Sequence, residues 1–157
     1  MERYLILHNL RSAHNVGAIF RTADAAAVSH IYLTGYTPAP VDRFKRPQGE
    51  IAKTALGAEK TSPWTSARSL ARVMKTLRAK GVRIVGVEQD VRARDYRLFK
   101  PAGSVAFLFG NEVAGLAPST RVACDDLIEI PMLGMKESLN VATTAGIILF
   151  STLPFDQ

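Results

Sequence analysis

A chain of 157 residues, 47% hydrophobic and 22% charged, is long enough to bury one substantial core and falls in the range of a single domain. No apolar run approaches the roughly 18 residues that span a bilayer. The N-terminus lacks the charged-then-apolar pattern of a secretory signal. Cys124 is the sole cysteine, which excludes an intramolecular disulfide and a multi-cysteine zinc site. His8, His14 and His30 show no ligand spacing. The expectation is a cytoplasmic protein without membrane or metal. Net charge is +6, and residues 43 to 100 hold 15 of the 20 basic and 5 of the 14 acidic side chains, a local excess of +10 against −4 elsewhere. Such asymmetry suits a polyanionic partner, and it equally describes a solvated basic face.

In chain order, Tyr4 to His8 is a short apolar run suited to a buried strand. Asn15 to Ala27 places Val16, Ile19, Phe20 and Ala23 at helical spacing. Ile31 to Leu33 predicts a second strand, and the stretch with Gly35, Pro38, Pro40, Pro47 and Gly49 predicts an exposed loop carrying Arg43, Lys45 and Arg46. Ser66 to Lys80 predicts an amphipathic basic helix, with Leu70, Val73, Met74 and Leu77 on one face and Gly81 as its stop. Ile84 to Val87, Val105 to Phe109 and Leu127 to Ile130 predict strands buried on both faces, and Leu139 to Leu153 a closing helix. The alternation predicts one α/β domain over residues 1–157, with a mostly parallel sheet and helices on both faces.

Three segments carry candidate chemistry. His14 to Ala23 lies where a strand hands over to a helix, a place where α/β sheets gather ligands. Its Gly17 costs about 1 kcal/mol against alanine in a helix, so it marks close approach of a backbone or a ligand. Asn15 fits either a helix cap or a site residue, and Arg21 either a site residue or a solvated surface charge. Phe107 to Leu116 is an apolar strand ending in Gly110-Asn111-Glu112, with Gly115 beyond it. That pattern fits a loop opening its backbone to a ligand, or an ordinary turn with Asn111 or Glu112 near a helix N-terminus. In Ile130 to Ala142, Pro131 ends the strand, Ser138 and Asn140 stand at helix-cap positions, and Met132 and Met135 suit either an adenine pocket or core filling.

Together, in this order, the three segments resemble the signature motifs of the SpoU family of SPOUT RNA methyltransferases. Asn15, Gly17, Arg21 and Ala23 match the first motif, Gly110, Asn111, Glu112, Gly115 and Leu116 the second, and Ile130 to Met132 with Ser138 to Ala142 the third. Ala27 and Val113 depart from the pattern, at positions where glycine is frequent.

The resemblance implies a C-terminal trefoil knot, a homodimer, and S-adenosylmethionine held by Val87, Glu88, Phe109, Gly110, Ile130, Met132, Ser138 and Leu139. It implies methyl transfer to a ribose 2′-hydroxyl of tRNA or rRNA, tRNA being favoured. Arg21 would act with Asn15, Glu112, Ser138 and Asn140. A guanidinium stays protonated, so Arg21 is expected to grip phosphate and stabilise developing negative charge, alongside a Glu112 that it orients. No appended RNA-binding domain is expected, so RNA would be held by Arg43, Lys45, Arg46, Lys53, Arg68 and Arg72. The alternatives are a non-catalytic RNA-binding protein of the same fold and a base-nitrogen methyltransferase.

Overall fold

The apolar runs alternate their contacts residue by residue. Tyr4, Ile6, Ile84, Ala106 and Leu108 pack on one side of a sheet, and Leu5, Leu7, Val85, Val87, Val105, Phe107 and Phe109 pack on the other. In the computed structural model, which describes residues 1–154, this sheet has seven strands: β1 (Arg3–His8), β2 (His30–Thr34), β3 (Trp64–Ala67), β4 (Arg83–Val87), β5 (Arg94–Asp95), β6 (Val105–Phe109) and β7 (Asp126–Glu129). Their spatial order is β3-β2-β1-β6-β4-β7-β5, and every pairing is parallel. All carboxyl ends therefore lie along one edge. Burial on both faces is the reason the strands read as continuous apolar runs.

One face is covered by α1 (Ala13–Ala25), α2 (Gly49–Ala55), the short α3 (Ala58–Thr61) and α6 (Val141–Ser151). The other is covered by α4 (Leu70–Ala79), whose Val73, Met74 and Leu77 are buried as their spacing predicts. A single-turn 3₁₀ segment (Tyr96–Leu98) and α5 (Pro118–Ala123) complete the chain. Ser12 caps α1, accepting from the Asn15 amide at 3.1 Å, and Ser69 caps α4, accepting from the Arg72 amide at 3.2 Å. Arg3 on β1 donates to the Thr152 carbonyl at 3.1 Å, placing a cation where α6 ends.

Several sequence expectations need revision. The helix expected from Ser66 begins at Leu70, because Trp64–Ala67 is an edge strand and Ser69 caps the helix. The helix expected from Leu139 begins at Val141 behind its cap Asn140. The polar stretch after β2 ends in α2 and α3, which bury only Ile51, Ala55 and Ala58, too few for a periodic signal. The two-residue β5 is likewise too short to read in sequence.

Gly17 marks the approach of a backbone. A Cβ there would lie 2.3 Å from the Ile51 carbonyl oxygen and 2.0 Å from Thr54 Oγ1, so α1 and α2 touch through a missing side chain. Ala27 adopts φ 51° after α1, a left-handed conformation that glycine takes without strain. Two outcomes are expected in urea unfolding. Gly17→Ala loses about 1–3 kcal/mol by forcing the helices apart, and Ala27→Gly gains about 0.5–1 kcal/mol by relieving the strained turn.

Candidate active site

The loops leaving β4, β6 and β7 meet at the carboxyl edge around a cleft of about 560 Å³. Every residue expected from the resemblance to hold the cofactor lines it. Val87 and Glu88 come from the end of β4, Phe109 and Gly110 from the end of β6, and Ile130 and Met132 from the segment after β7. Ser138 and Leu139 come from the approach to α6. Asn15, Glu112 and Asn140 line it too.

Two glycines shape the turn after β6. A Cβ on Gly110 would lie 2.6 Å from the Gly115 carbonyl carbon and 2.7 Å from the Leu116 nitrogen, so any side chain would split the turn. Gly115 has φ +66°, and a Cβ there would meet the Glu88 carboxylate. That carboxylate accepts from the Leu116 amide at 2.7 Å and the Gln89 amide at 3.0 Å, tying the β6 turn to β4. Asn111 pins the same turn: its carbonyl oxygen accepts from the Val113 and Ala114 amides at 2.9 and 2.8 Å, and its amide donates to the Asn9 carbonyl at 3.0 Å.

The three sequence motifs join through one hydrogen-bonded chain. The Glu112 carboxylate accepts from the Arg11 and Ser12 backbone amides at 2.9 and 3.0 Å and from Asn15 Nδ2 at 3.3 Å. Asn15 Oδ1 in turn accepts from Asn140 Nδ2 at 3.1 Å, while Asn140 Oδ1 caps α6 by accepting from the Ala142 amide at 2.8 Å. Ser12 rather than Asn15 caps α1, which frees the buried Asn15 side chain for this link. Burial alone would raise the Glu112 pKa, but the two backbone N–H groups and Asn15 outweigh it and hold the carboxyl below its ordinary value. Glu112 is thus an anchor for the start of α1, and both its oxygens are engaged.

Arg21 lies elsewhere. It is exposed and lines a shallow depression with Ala18, Thr22, Lys53, Leu56 and Phe150 on the α1, α2 and α6 side. No hydrogen bond links it to Glu112 among the described residues, so Glu112 is oriented by backbone amides and Asn15. Of the residues expected to hold RNA, Arg68 directly follows β3 at the edge that bears the cleft, and Arg43, Lys45 and Arg46 sit on the segment between β2 and α2. Arg72 is in the first turn of α4, and Lys53 lies beside Arg21. Two of these charges are partly offset by exposed ion pairs, Arg46 with Asp42 and Lys53 with Glu50, both at 2.7 Å. Gln89, Glu129, Glu137 and Thr144 also line the cleft and were not expected. Gln89 and Glu129 stand at or just past strand ends, so the parallel sheet is the signal that finds them. Partial burial and the Asp125 charge push the Cys124 thiol up to about 11, so it is a neutral thiol at physiological pH.

A parallel α/β sheet with a polar, glycine-walled cleft over its carboxyl edge defines a small-ligand-binding domain. The SpoU rRNA Methylase family model matches residues 2–150, and the chain belongs to that family. It is 38% identical over 149 residues to the 23S rRNA (guanosine-2′-O-)-methyltransferase RlmB of Vibrio vulnificus, covering 95% of this chain and 58% of that protein. The AdoMet-bound rRNA methyltransferase from Sinorhizobium meliloti superposes with a TM-score of 0.84 at 34% identity, covering 96% of this chain and 55% of that one. The A. aeolicus TrmH/SpoU tRNA modifying enzyme superposes with a TM-score of 0.82 at 25% identity, over 96% and 73% of the two chains. The chain thus spans a little over half the length of the curated relatives it matches.

The lowered Glu112 pKa gives a signed expectation. Its stabilisation is fully present above the unfolded-state value near 4.5 and is lost as pH falls through the lower folded value. Glu112→Gln should cost about 1–2 kcal/mol at pH 7. In chemical denaturation at stepped pH, the difference from wild type should shrink below the unfolded-state value, and a pH-independent difference would remove the carboxylate charge from the account. A double-mutant cycle of Asn15→Ala and Asn140→Ala should show coupling of about 0.5–1.5 kcal/mol.

Proposed function

We propose that this domain transfers the methyl group of S-adenosylmethionine to a ribose 2′-hydroxyl of RNA, and that the RNA is ribosomal. The observation that carries the reading is the Glu112–Asn15–Asn140 chain, which brings one polar side chain from each of the three motifs to the wall of one cleft. The cleft suits the cofactor. Its volume is that of sites for ligands of this size. Ile130, Met132 and Leu139 offer apolar surface to an adenine beside the buried ends of β4 and β6 at Val87 and Phe109, and Gly110 and Gly115 form part of the cleft wall. Glu88, Glu129 and Glu137 bring negative charge suited to a cationic ligand. When bound, S-adenosylmethionine supplies an electrophilic methyl group on a sulfonium.

The chain's own residues position the acceptor. Each amide nitrogen carries two N–H groups, so Asn15 Nδ2 and Asn140 Nδ2 keep one apiece beyond their mutual network. With the exposed Ser138 hydroxyl they can orient a ribose oxygen and supply part of the rate through positioning. Glu112, held at low pKa by backbone amides, is a weak base and acts by fixing Asn15. Arg21 contributes positive charge toward the phosphate and the developing alkoxide.

Arg21 is outside its own chain's cleft, and α6 is apolar on its outward side, with Ile147 half-buried and Phe150 exposed. A homodimer seated on α6 covers that surface and offers Arg21 to a neighbouring site. The expected trefoil threading draws support from the 88–104 segment, which passes beyond β7 to pair as β5 and returns to β6 on the other side of β4.

The relatives that act as 23S rRNA methyltransferases favour ribosomal RNA over the tRNA reading, while the A. aeolicus neighbour is a tRNA modifying enzyme. Both pools belong in the test. Labelled S-adenosylmethionine should methylate rRNA, and nuclease and alkali mapping should return an alkali-resistant dinucleotide. Arg21→Ala should lower transfer by about a hundredfold or more while cofactor affinity stays within about twofold. A base-linked methyl group, or transfer to tRNA alone, would overturn the corresponding part of the reading.

A further inference from the structure

Two aromatic rings on the segment leaving β2 contribute little to the core. Tyr36 and Phe44 are each 62% exposed. Tyr36 stands in a hollow formed with Arg11, Asn111, Val113 and Ala114. Asn111, Val113 and Ala114 also line the cleft, so the two cavities are divided only by the turn after β6. The Tyr36 ring is held there, its hydroxyl accepting from Asn111 Nδ2 at 3.1 Å. Phe44 has the guanidinium carbons of Arg43 and Arg46 at 4.7 and 5.1 Å from its ring centre. Asp42 holds this segment in one shape, accepting from the Phe44 and Arg46 amides at 2.8 and 3.0 Å and from Arg46 Nε at 2.7 Å.

We infer that this segment is a nucleobase-stacking arm for unpaired RNA, in which Tyr36 takes a base beside the cleft and Phe44 with its arginines takes a second. The inference rests on the RNA methyltransferase reading and names the form of RNA that reading requires. Inside a duplex the faces of bases are hidden, whereas splayed single-stranded bases stack on aromatic rings and guanidinium planes. A fixed tyrosine and a nearby arginine, one turn away from a cleft suited to a methyl donor, match a nucleoside and its phosphate. Arg43, Arg46 and Phe44 alternate charge and ring in the manner of a single-strand groove.

The full chain is titrated against a short fluorescein-labelled oligoribonucleotide and against its duplex, following anisotropy, with thermal melts confirming that each variant folds. The single strand should bind about tenfold or more tightly than the duplex. Tyr36→Ala and Phe44→Ala should each weaken single-strand binding by about five- to fiftyfold and leave duplex binding unchanged. Tyr36→Phe, which keeps the ring and loses only the hydrogen bond from Asn111, should recover most of the single-strand binding that Tyr36→Ala loses. Arg11→Ala should lower the slope of affinity against salt by about one phosphate contact. Wild-type affinity in both alanine variants, equal losses on the duplex, or a change of oligomeric mass in Phe44→Ala, which would assign the ring to a protein contact, would each overturn the inference. Cofactor binding by calorimetry and methyl transfer are measured alongside. Absence of transfer by wild type defeats the enzymatic reading while anisotropy still decides the stacking arm. Transfer with an unchanged KM for RNA in Tyr36→Ala defeats the arm alone.

Discussion

The carboxylate of Glu112 receives the Arg11 and Ser12 amides at the start of α1, and the geometry of the cleft follows from that contact. A negative charge at a helix N-terminus satisfies donors that the helix itself leaves free and opposes the positive end of its dipole. Because Glu112 belongs to the turn after β6, the contact locks α1 to the sheet edge and presents Asn15 to Asn140. Asn140 also caps α6, so one line of hydrogen bonds sets two helix starts and the cleft wall together. A group with both oxygens committed in this way is suited to positioning rather than to proton transfer.

Close backbone approach is the second constraint. Gly110 lets the turn fold back on itself until its backbone nearly touches Gly115 and Leu116, and Glu88 then receives the Leu116 amide. Gly17 allows α2 to lie against α1. Both depend on the absence of a side chain against main-chain atoms that cannot move cheaply, unlike the flexible end of a long residue.

Charge is sorted by place. Carboxylates of Glu88, Glu129 and Glu137 line the cleft, whereas Arg68 follows the end of β3 at the same edge and Arg43, Lys45 and Arg46 lie on the segment between β2 and α2. An acidic cleft with basic approaches suits a cationic donor meeting a polyanionic acceptor. The exposed rings of Tyr36 and Phe44 lie among those approaches and offer stacking where the charges offer only attraction.

Apolar runs such as Val105 to Phe109 and the face of Leu70, Val73, Met74 and Leu77 were legible in the sequence, because burial imposes a local period that survives without knowing the partner. The eight residues expected around the cofactor came from the family resemblance and not from periodicity; six of them end or closely follow β4, β6 and β7, which one parallel sheet brings to a single edge, while Ser138 and Leu139 reach the cleft from the approach to α6. The edge strands β3 and β5 and the short helices α2 and α3 were not legible, because so few of their residues are buried that no pattern accumulates. Residue types at Asn15, Glu112 and Asn140 announced a site, but their roles were decided by contacts spanning 97 and 125 positions of chain. Only the tertiary structure could give Glu112 to backbone amides rather than to Arg21, because hydrogen-bond partners are chosen by distance in space and the sequence records only distance along the chain.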